Sequence, residues 1–238
     1  YLHLDNSACN LASLNLLEFL DTEDDDRFDL EGFSHAVRIV FIAQDILVGN
    51  ADYPTEPIAQ TSRDFRQLGL GYTNLGAMLM ALGLPYDSEQ ARAWTGAVTA
   101  LMSGNAYATS VDLAQRVGAF AGYISNSKAM QQVLGSHREA LQSVSKSAPR
   151  DLMAAAEKSW DDAVTGCQQH GIRNSQATVI APSGTISFMM DCDTTGIEPD
   201  LGLIKFKKLV GGGDLTIVNN TVGRALRRLG YEAAQITD

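Results

Sequence analysis

Polar and apolar residues alternate along Tyr1-Leu2-His3-Leu4 and again over residues 10–14, before the consecutive leucines Leu16-Leu17. A period of two marks a strand with one buried face, so the chain is expected to open as a strand passing into a short helix. Behind Asp29, a suitable cap, Leu30, Phe33, Val37, Val40, Phe41 and Leu47 recur at helical spacing. They predict a helix over 29–48 with those six side chains as its buried face. Two prolines within 50–57 break it. Residues 68–82 are glycine-rich and apolar, and their glycines are read as allowing close helix packing. Asp87, with Gln90 three residues on, is a weak capping box for a helix reaching about 117. Its small apolar side includes Gly96, Leu101, Gly104, Val111 and Leu113. A short helix over 125–134, a polar stretch over 143–149 and a helix over 150–170 follow. Residues 177–181 are short, β-branched and apolar, as a buried strand would be. Gly211-Gly212-Gly213 reads as a flexible joint after Lys205, Lys207 and Lys208, and a last helix is expected over 215–229.

The chain has 238 residues, 45% of them hydrophobic and 19% charged, enough for a substantial core in one large domain or two small ones. Acidic residues outnumber basic ones, 28 to 18, for a net charge of −10, which argues against a dedicated nucleic-acid binder. No apolar run is read as approaching the roughly 20 residues that span a bilayer, so no membrane is expected. Cys9, Cys167 and Cys192 are odd in number and far apart, with no Cys-x-x-Cys, so neither a metal site nor a disulfide scaffold is expected. That usage fits a reducing compartment, the cytoplasm. The opening has no signal-peptide pattern, and its mid-strand start reads as a piece of a longer polypeptide.

Several motifs carry candidate chemistry. The acidic run over 21–26 is read as a solvated loop, because it lacks the glycine and final glutamate of a calcium hand. Gly69-Leu70-Gly71-Tyr72-Thr73-Asn74 has Asn74 where a dinucleotide loop needs its third glycine. Ser125 with Lys128 and Ser143 with Lys146 match Ser-x-x-Lys, but no Ser-Asp-Asn or Lys-Thr-Gly accompanies them. The expected strand at 177–181 runs into Pro182-Ser183-Gly184-Thr185-Ile186-Ser187. Such a turn exposes backbone N–H groups and hydroxyls together, and with a helix behind it becomes an anion cradle without lysine. From spacing alone such a turn is more often a plain connector. Cys9 by itself reads as a buried structural cysteine.

In order along the chain, Ser7-Ala8-Cys9-Asn10-Leu11-Ala12-Ser13-Leu14-Asn15-Leu16, Arg66-Gln67-Leu68-Gly69-Leu70-Gly71 and Ala181-Pro182-Ser183-Gly184-Thr185-Ile186-Ser187 resemble the large catalytic subunit of ribonucleotide reductase. Residues 189–199 and Lys207-Lys208-Leu209-Val210-Gly211-Gly212-Gly213 are most similar to its adenosylcobalamin-dependent branch, class II. The resemblance implies an α/β fold: residues 1–238 would be a single domain, the helix-rich C-terminal part of a ten-stranded α/β barrel. The family's finger loop carries Asn-x-Cys-x-Glu, whose Cys becomes a thiyl radical and whose Glu is a general base. By family spacing that signature should end just before Tyr1, so the chain is expected to be inactive alone.

The resemblance implies that Cys9 is one of two thiols that close a disulfide as the 2′-hydroxyl is replaced by hydrogen. Its partner would lie upstream. Pro182, Ser183, Gly184, Thr185, Ile186 and Ser187 would hold the phosphates of a ribonucleoside di- or triphosphate. Ser183 stands where the family often has Thr and keeps the hydroxyl. The expected cofactor is adenosylcobalamin, with no residue assigned to cobalt. Expected partners are dNTP or ATP effectors on the full-length protein, a thioredoxin-like reductant and a second copy in a homodimer. Cys167 and Cys192 are read as structural, and His3, His35, His137 and His170 as surface or packing residues. Two rivals stand beside this reading: a reductase branch using a metal-radical subunit, and a non-catalytic helical interaction module.

Overall fold

The computed structural model describes residues 4–8, 10–21, 27–144 and 146–237. Cys9, His3 and most of the acidic run fall outside them. The elements in order are β1 (Asn10–Asn15), α1 (Leu30–Asn50), α2 (Glu56–Phe65), β2 (Leu68–Thr73), α3 (Leu75–Ala81), α4 (Glu89–Val117), α5 (Tyr123–Ala140) and α6 (Arg150–His170). Then come α7 (Gly184–Met189), β3 (Ile204–Lys208), β4 (Asp214–Val218), α8 (Val222–Arg228) and α9 (Ala233–Thr237). The sequence reading takes residues 1–238 as one domain; the backbone contacts divide them into two compact units.

The first unit comprises Tyr1–Leu14, Leu30–Gly71 and Ala93–Ala181. Its core gathers Phe33, Val37 and Phe41 of α1, Leu101 and Met102 of α4 and Trp160 of α6. The Trp160 indole donates to the Ala100 carbonyl at 3.0 Å, so its one polar atom is satisfied. Helix α1 has 21 residues and contains an 18-residue stretch with a mean hydropathy of 1.3, long and apolar enough to cross a membrane by length and composition, which the sequence reading does not expect. Its inward face carries Gln44 and Asp45 beside Phe33, Val37, Phe41 and Val48, whereas Leu47, expected inside, is 54% exposed. Asp45 is inward because it has partners: Arg66 Nε and Asn174 Nδ2 each donate to its Oδ1 at 2.8 Å. A buried carboxylate is tolerated when paired in this way.

Strand β1 lies beside β2, and β2 continues on its other side to a parallel bridge between Leu70 and Thr178. The expected strand at 177–181 is thus reduced to a bridge with flanking bonds, such as Val179 N–H to the Leu70 carbonyl at 3.0 Å. Gly71 explains the closeness: a Cβ there would sit 2.3 Å from the Val179 carbonyl oxygen. The glycines of 68–73 therefore serve strand approach, where helix packing was expected. Among the described residues the strands form two two-stranded sheets and no closed barrel.

The second unit comprises Asn15–Asp29, Tyr72–Arg92 and Pro182–Asp238. Its core is α3, with Ala77, Met78 and Leu79 buried, packed against α8. The expected helix over 215–229 is instead strand β4 followed by the short α8. Leu215-Thr216-Ile217-Val218 is β-branched enough to pair antiparallel with β3, Ile204 opposite Val218 and Lys208 opposite Asp214. The three glycines at 211–213 form the hairpin turn, with φ of +101°, +101° and +93°, a region L side chains avoid.

Candidate phosphate loop and its buried support

The 182–187 segment lies in the second unit and folds as a bend into α7. Ser183 is the N-cap, in the left-handed region at φ 54° and ψ 26°. The first intrahelical bond runs from Ser187 N–H to the Ser183 carbonyl at 3.0 Å. The amides of Gly184, Thr185 and Ile186 precede it, as the leading amides of any helix do. Pro182, Gly184, Thr185 and Ile186 are exposed and Ser183 is half-buried. Ser187 differs from the rest: its fully buried hydroxyl shares a 2.7 Å hydrogen bond with Thr73. It ties the bend down from beneath, whereas the sequence reading groups it with the phosphate-facing residues.

Beneath the bend runs a buried polar network that the sequence reading missed. Thr73 Oγ1 also accepts from Gly196 N–H at 2.9 Å. Asn74 is fully buried at φ 68°, a conformation Asn tolerates better than most residues. Its Nδ2 donates to Asn15 Oδ1 at 2.9 Å, and its Oδ1 accepts from Thr194 N–H at 3.0 Å. Asn15 Nδ2 in turn donates to the Met190 carbonyl at 3.3 Å, just past α7. Two neighbouring residues at the end of β2 thus fix α7 and the following 191–199 loop. Asp193 holds that loop to α8, accepting from the Asn220 and Thr221 amides at 2.9 Å each. Lys205 of β3 donates to Asp200 Oδ1 at 2.8 Å, and the Lys207 ammonium sits 4.0 Å above the Phe188 ring, joining the hairpin to α7.

A cavity of about 350 Å³ lies beside the bend, lined by Pro182, Gly184, Phe188, Cys192, Asp193 and Lys205 among others. Two larger hollows, about 440 and 390 Å³, lie on the first unit, one along α5 and one among α1, α4 and α6. Neither is lined by a residue of the bend. The smaller cavity is therefore the candidate site, and its volume is at the low end for small-molecule sites. Cys167 and Cys192 are both buried free thiols. Burial pushes the Cys192 thiol up to about 11 from an ordinary value near 9. Between those values the folded protein keeps a proton that the unfolded chain releases, so stability falls as pH rises through that window. Tyr107, its phenol pushed up to about 12 by burial, acts in the same direction at higher pH. Urea midpoints should therefore drop between about pH 9 and 11, and a flat profile would contradict the burial of these groups.

The whole chain, residues 1–238, matches the family described as "Ribonucleotide reductase, barrel domain". The chain belongs to that family. Over 238 residues, all of this chain, it is 53% identical to a vitamin B12-dependent ribonucleotide reductase of Rhodopirellula baltica. Another protein of that name, from Streptomyces clavuligerus, is 51% identical over 99% of the chain. A ribonucleoside-diphosphate reductase subunit alpha of Chlamydia pneumoniae is 28% identical over 98%. The chain spans 23%, 25% and 22% of the length of these three relatives. Both compact units fall within the family match, including the segments on which the reductase resemblance rests.

The reductase cysteine of the sequence reading, Cys9, lies outside the described residues, but Ala8 and Asn10 on either side of it are described. Among the described residues no three His, Cys, Asp or Glu side chains gather as they would around a metal ion. The cavity has no histidine in its lining. A corrin macrocycle is far larger than this cavity, so no described residue is assigned to the corrinoid.

Proposed function

We propose that the protein containing this chain reduces ribonucleotides to deoxyribonucleotides by a thiyl-radical reaction. The observation that carries this reading is 53% identity, over the whole chain, to a vitamin B12-dependent ribonucleotide reductase. Adenosylcobalamin, when bound to the full-length protein, would supply the radical. Within this chain, Cys9 supplies one of the two reducing thiols. Two thiols give one disulfide, two electrons and two protons; the 2′-hydroxyl leaves as water and a hydrogen takes its place. A thioredoxin-like dithiol then reopens the disulfide. The bend at 182–186 binds the substrate's phosphates through its leading amides and the Ser183 and Thr185 hydroxyls, while Ser187 anchors it from below.

The two units are portions of one α/β barrel domain, as the single family match over 1–238 supports. The full-length protein works in the cytoplasm, as a homodimer, under dNTP or ATP control. No Asn-x-Cys-x-Glu signature occurs in this sequence, so these 238 residues alone should bind substrate phosphate without turnover. A metal-radical-subunit enzyme is the second reading, favoured by the name of the Chlamydia pneumoniae relative, subunit alpha of a ribonucleoside-diphosphate reductase. The deciding experiment is an assay of the full-length protein. Product formed with adenosylcobalamin and no second subunit supports the proposal; product formed only with a metal-containing subunit supports the rival.

The bend's support can be tested in the same protein. Thr73→Val leaves the buried Ser187 hydroxyl and the Gly196 amide without their partner, at a cost of about 1–3 kcal/mol for an unsatisfied buried group. The loosened bend should raise the substrate KM about tenfold, within that range since 1.4 kcal/mol is a factor of ten. Thr73→Ser, which keeps the hydroxyl, should stay near wild type. An unchanged KM in Thr73→Val would separate the network from substrate binding.

A further inference from the structure

We infer that Gln44 and Ser62 are positioning residues for Cys9, gripping the backbone on either side of it. The inference rests on the redox role proposed for Cys9. All the described groups lie in the first unit. Before the cysteine, Ala8 N–H donates to Ser62 Oγ at 3.0 Å. After it, the Asn10 carbonyl accepts from Gln44 Nε2 at 2.9 Å. Ser62 is on α2 and 2% exposed; Gln44 is on α1 and 3% exposed. Two side chains from two helices thus hold the 7–8 and 10–11 peptide groups, the outer edges of the three-residue stretch centred on Cys9.

One turn away on either side along α1, the neighbours of Gln44 are the buried Phe41 and Val48, and unlike Asp45, the next residue, Gln44 has no charge to pair. Burying an amide there is unfavourable unless its hydrogen bonds are made. Only half of that condition is met, because Gln44 Oε1 is buried with no hydrogen-bond partner among the described residues. The bond that Gln44 does make is the one to Asn10. A half-satisfied amide between Phe41 and Val48 gains nothing in packing; what it gains is a fixed carbonyl on the residue after Cys9.

Disulfide formation makes use of such a grip. The two Cα atoms must come within about 4.4–6.8 Å, with the C–S–S–C dihedral near 90°. A strand end free to slide would lose that geometry on each cycle. It has to be met twice per turnover, once when the thiols close and once when the reductant attacks. Sub-ångström misplacement of a reacting group lowers a rate without weakening substrate binding. The signature of this grip is therefore a fall in kcat at constant KM.

The test uses the full-length holoenzyme with a dithiol reductant. The variants are Ser62→Ala, Gln44→Met and the pair together, with Ser62→Thr as the conservative control and Cys9→Ser alongside. The double variant should turn over about tenfold more slowly, within the range that misplacement produces. Its substrate KM should stay within about twofold of wild type, and Ser62→Thr should match wild type. If the double variant does not fold, the two single variants read the same quantities, each with a smaller fall. A kcat within twofold of wild type in folded variants, or an equal loss in Ser62→Thr, would overturn the inference. If Cys9→Ser is dead while the grip variants are normal, only the grip is wrong. If Cys9→Ser turns over normally, the redox assignment fails and takes the grip with it.

Discussion

Cys9→Ser in the full-length protein should abolish multiple turnover with a dithiol reductant and leave radical generation largely intact. A serine hydroxyl cannot close a disulfide, so the two electrons needed at each cycle have no internal donor. Residual turnover should be at least a thousandfold below wild type, because losing a chemical participant removes several kcal/mol of transition-state stabilisation at about 1.4 kcal/mol per factor of ten. Substrate affinity should change little, since the phosphate bend lies elsewhere in the sequence and is anchored by Thr73 and Asn74. Steady-state kinetics with saturating dithiol check the first expectation, and the radical signal on mixing with cofactor and effector checks the second.

Asp45→Ala should destabilise the protein by about 3–5 kcal/mol, the usual cost of removing one partner of a buried ion pair. The carboxylate is 6% exposed and its partner Arg66 is 7% exposed. Arg66 Nε and Asn174 Nδ2 both donate to Asp45, and Arg173 Nε lies 3.7 Å away. Without the Asp45 carboxylate the buried Arg66 guanidinium loses its counter-charge and keeps its bond to the backbone carbonyl of residue 45, while Asn174 Nδ2 keeps its 3.1 Å bond to the Arg66 carbonyl. Asp45→Asn keeps an acceptor oxygen and should cost less. Urea denaturation of the three proteins measures the difference, and a loss below about 1 kcal/mol for the alanine variant would place this cluster among ordinary surface pairs.

The helices were legible where one signal dominated. Helix α6 occupies 150–170 as expected, and α4 starts two residues after Asp87 and ends at Val117. The misreadings have specific causes. The run 215–218 is apolar at more than one period, and only its partner β3 across the glycine turn decides for a strand. Periodicity put Leu47 inside α1 and passed over Gln44 and Asp45, because it scores side chains by polarity and cannot see the partners that make burial tolerable. Residues 182–187 stood out for their Gly, Ser and Thr content. The Thr73, Asn74 and Asn15 network beneath them did not, since its members come from distant stretches and each is an ordinary polar residue by itself. A buried-looking Thr-Asn pair ending an apolar glycine-rich strand was the one available hint.

Electron transfer from Cys9 to the substrate leaves a covalent trace. It is tested most directly by one turnover of pre-reduced full-length enzyme without added dithiol, quenched with an alkylating agent and mapped by peptide mass spectrometry. The account predicts Cys9 in a disulfide in proportion to deoxyribonucleotide formed, with Cys167 and Cys192 recovered as thiols. Product formed while Cys9 is recovered fully alkylated would contradict it.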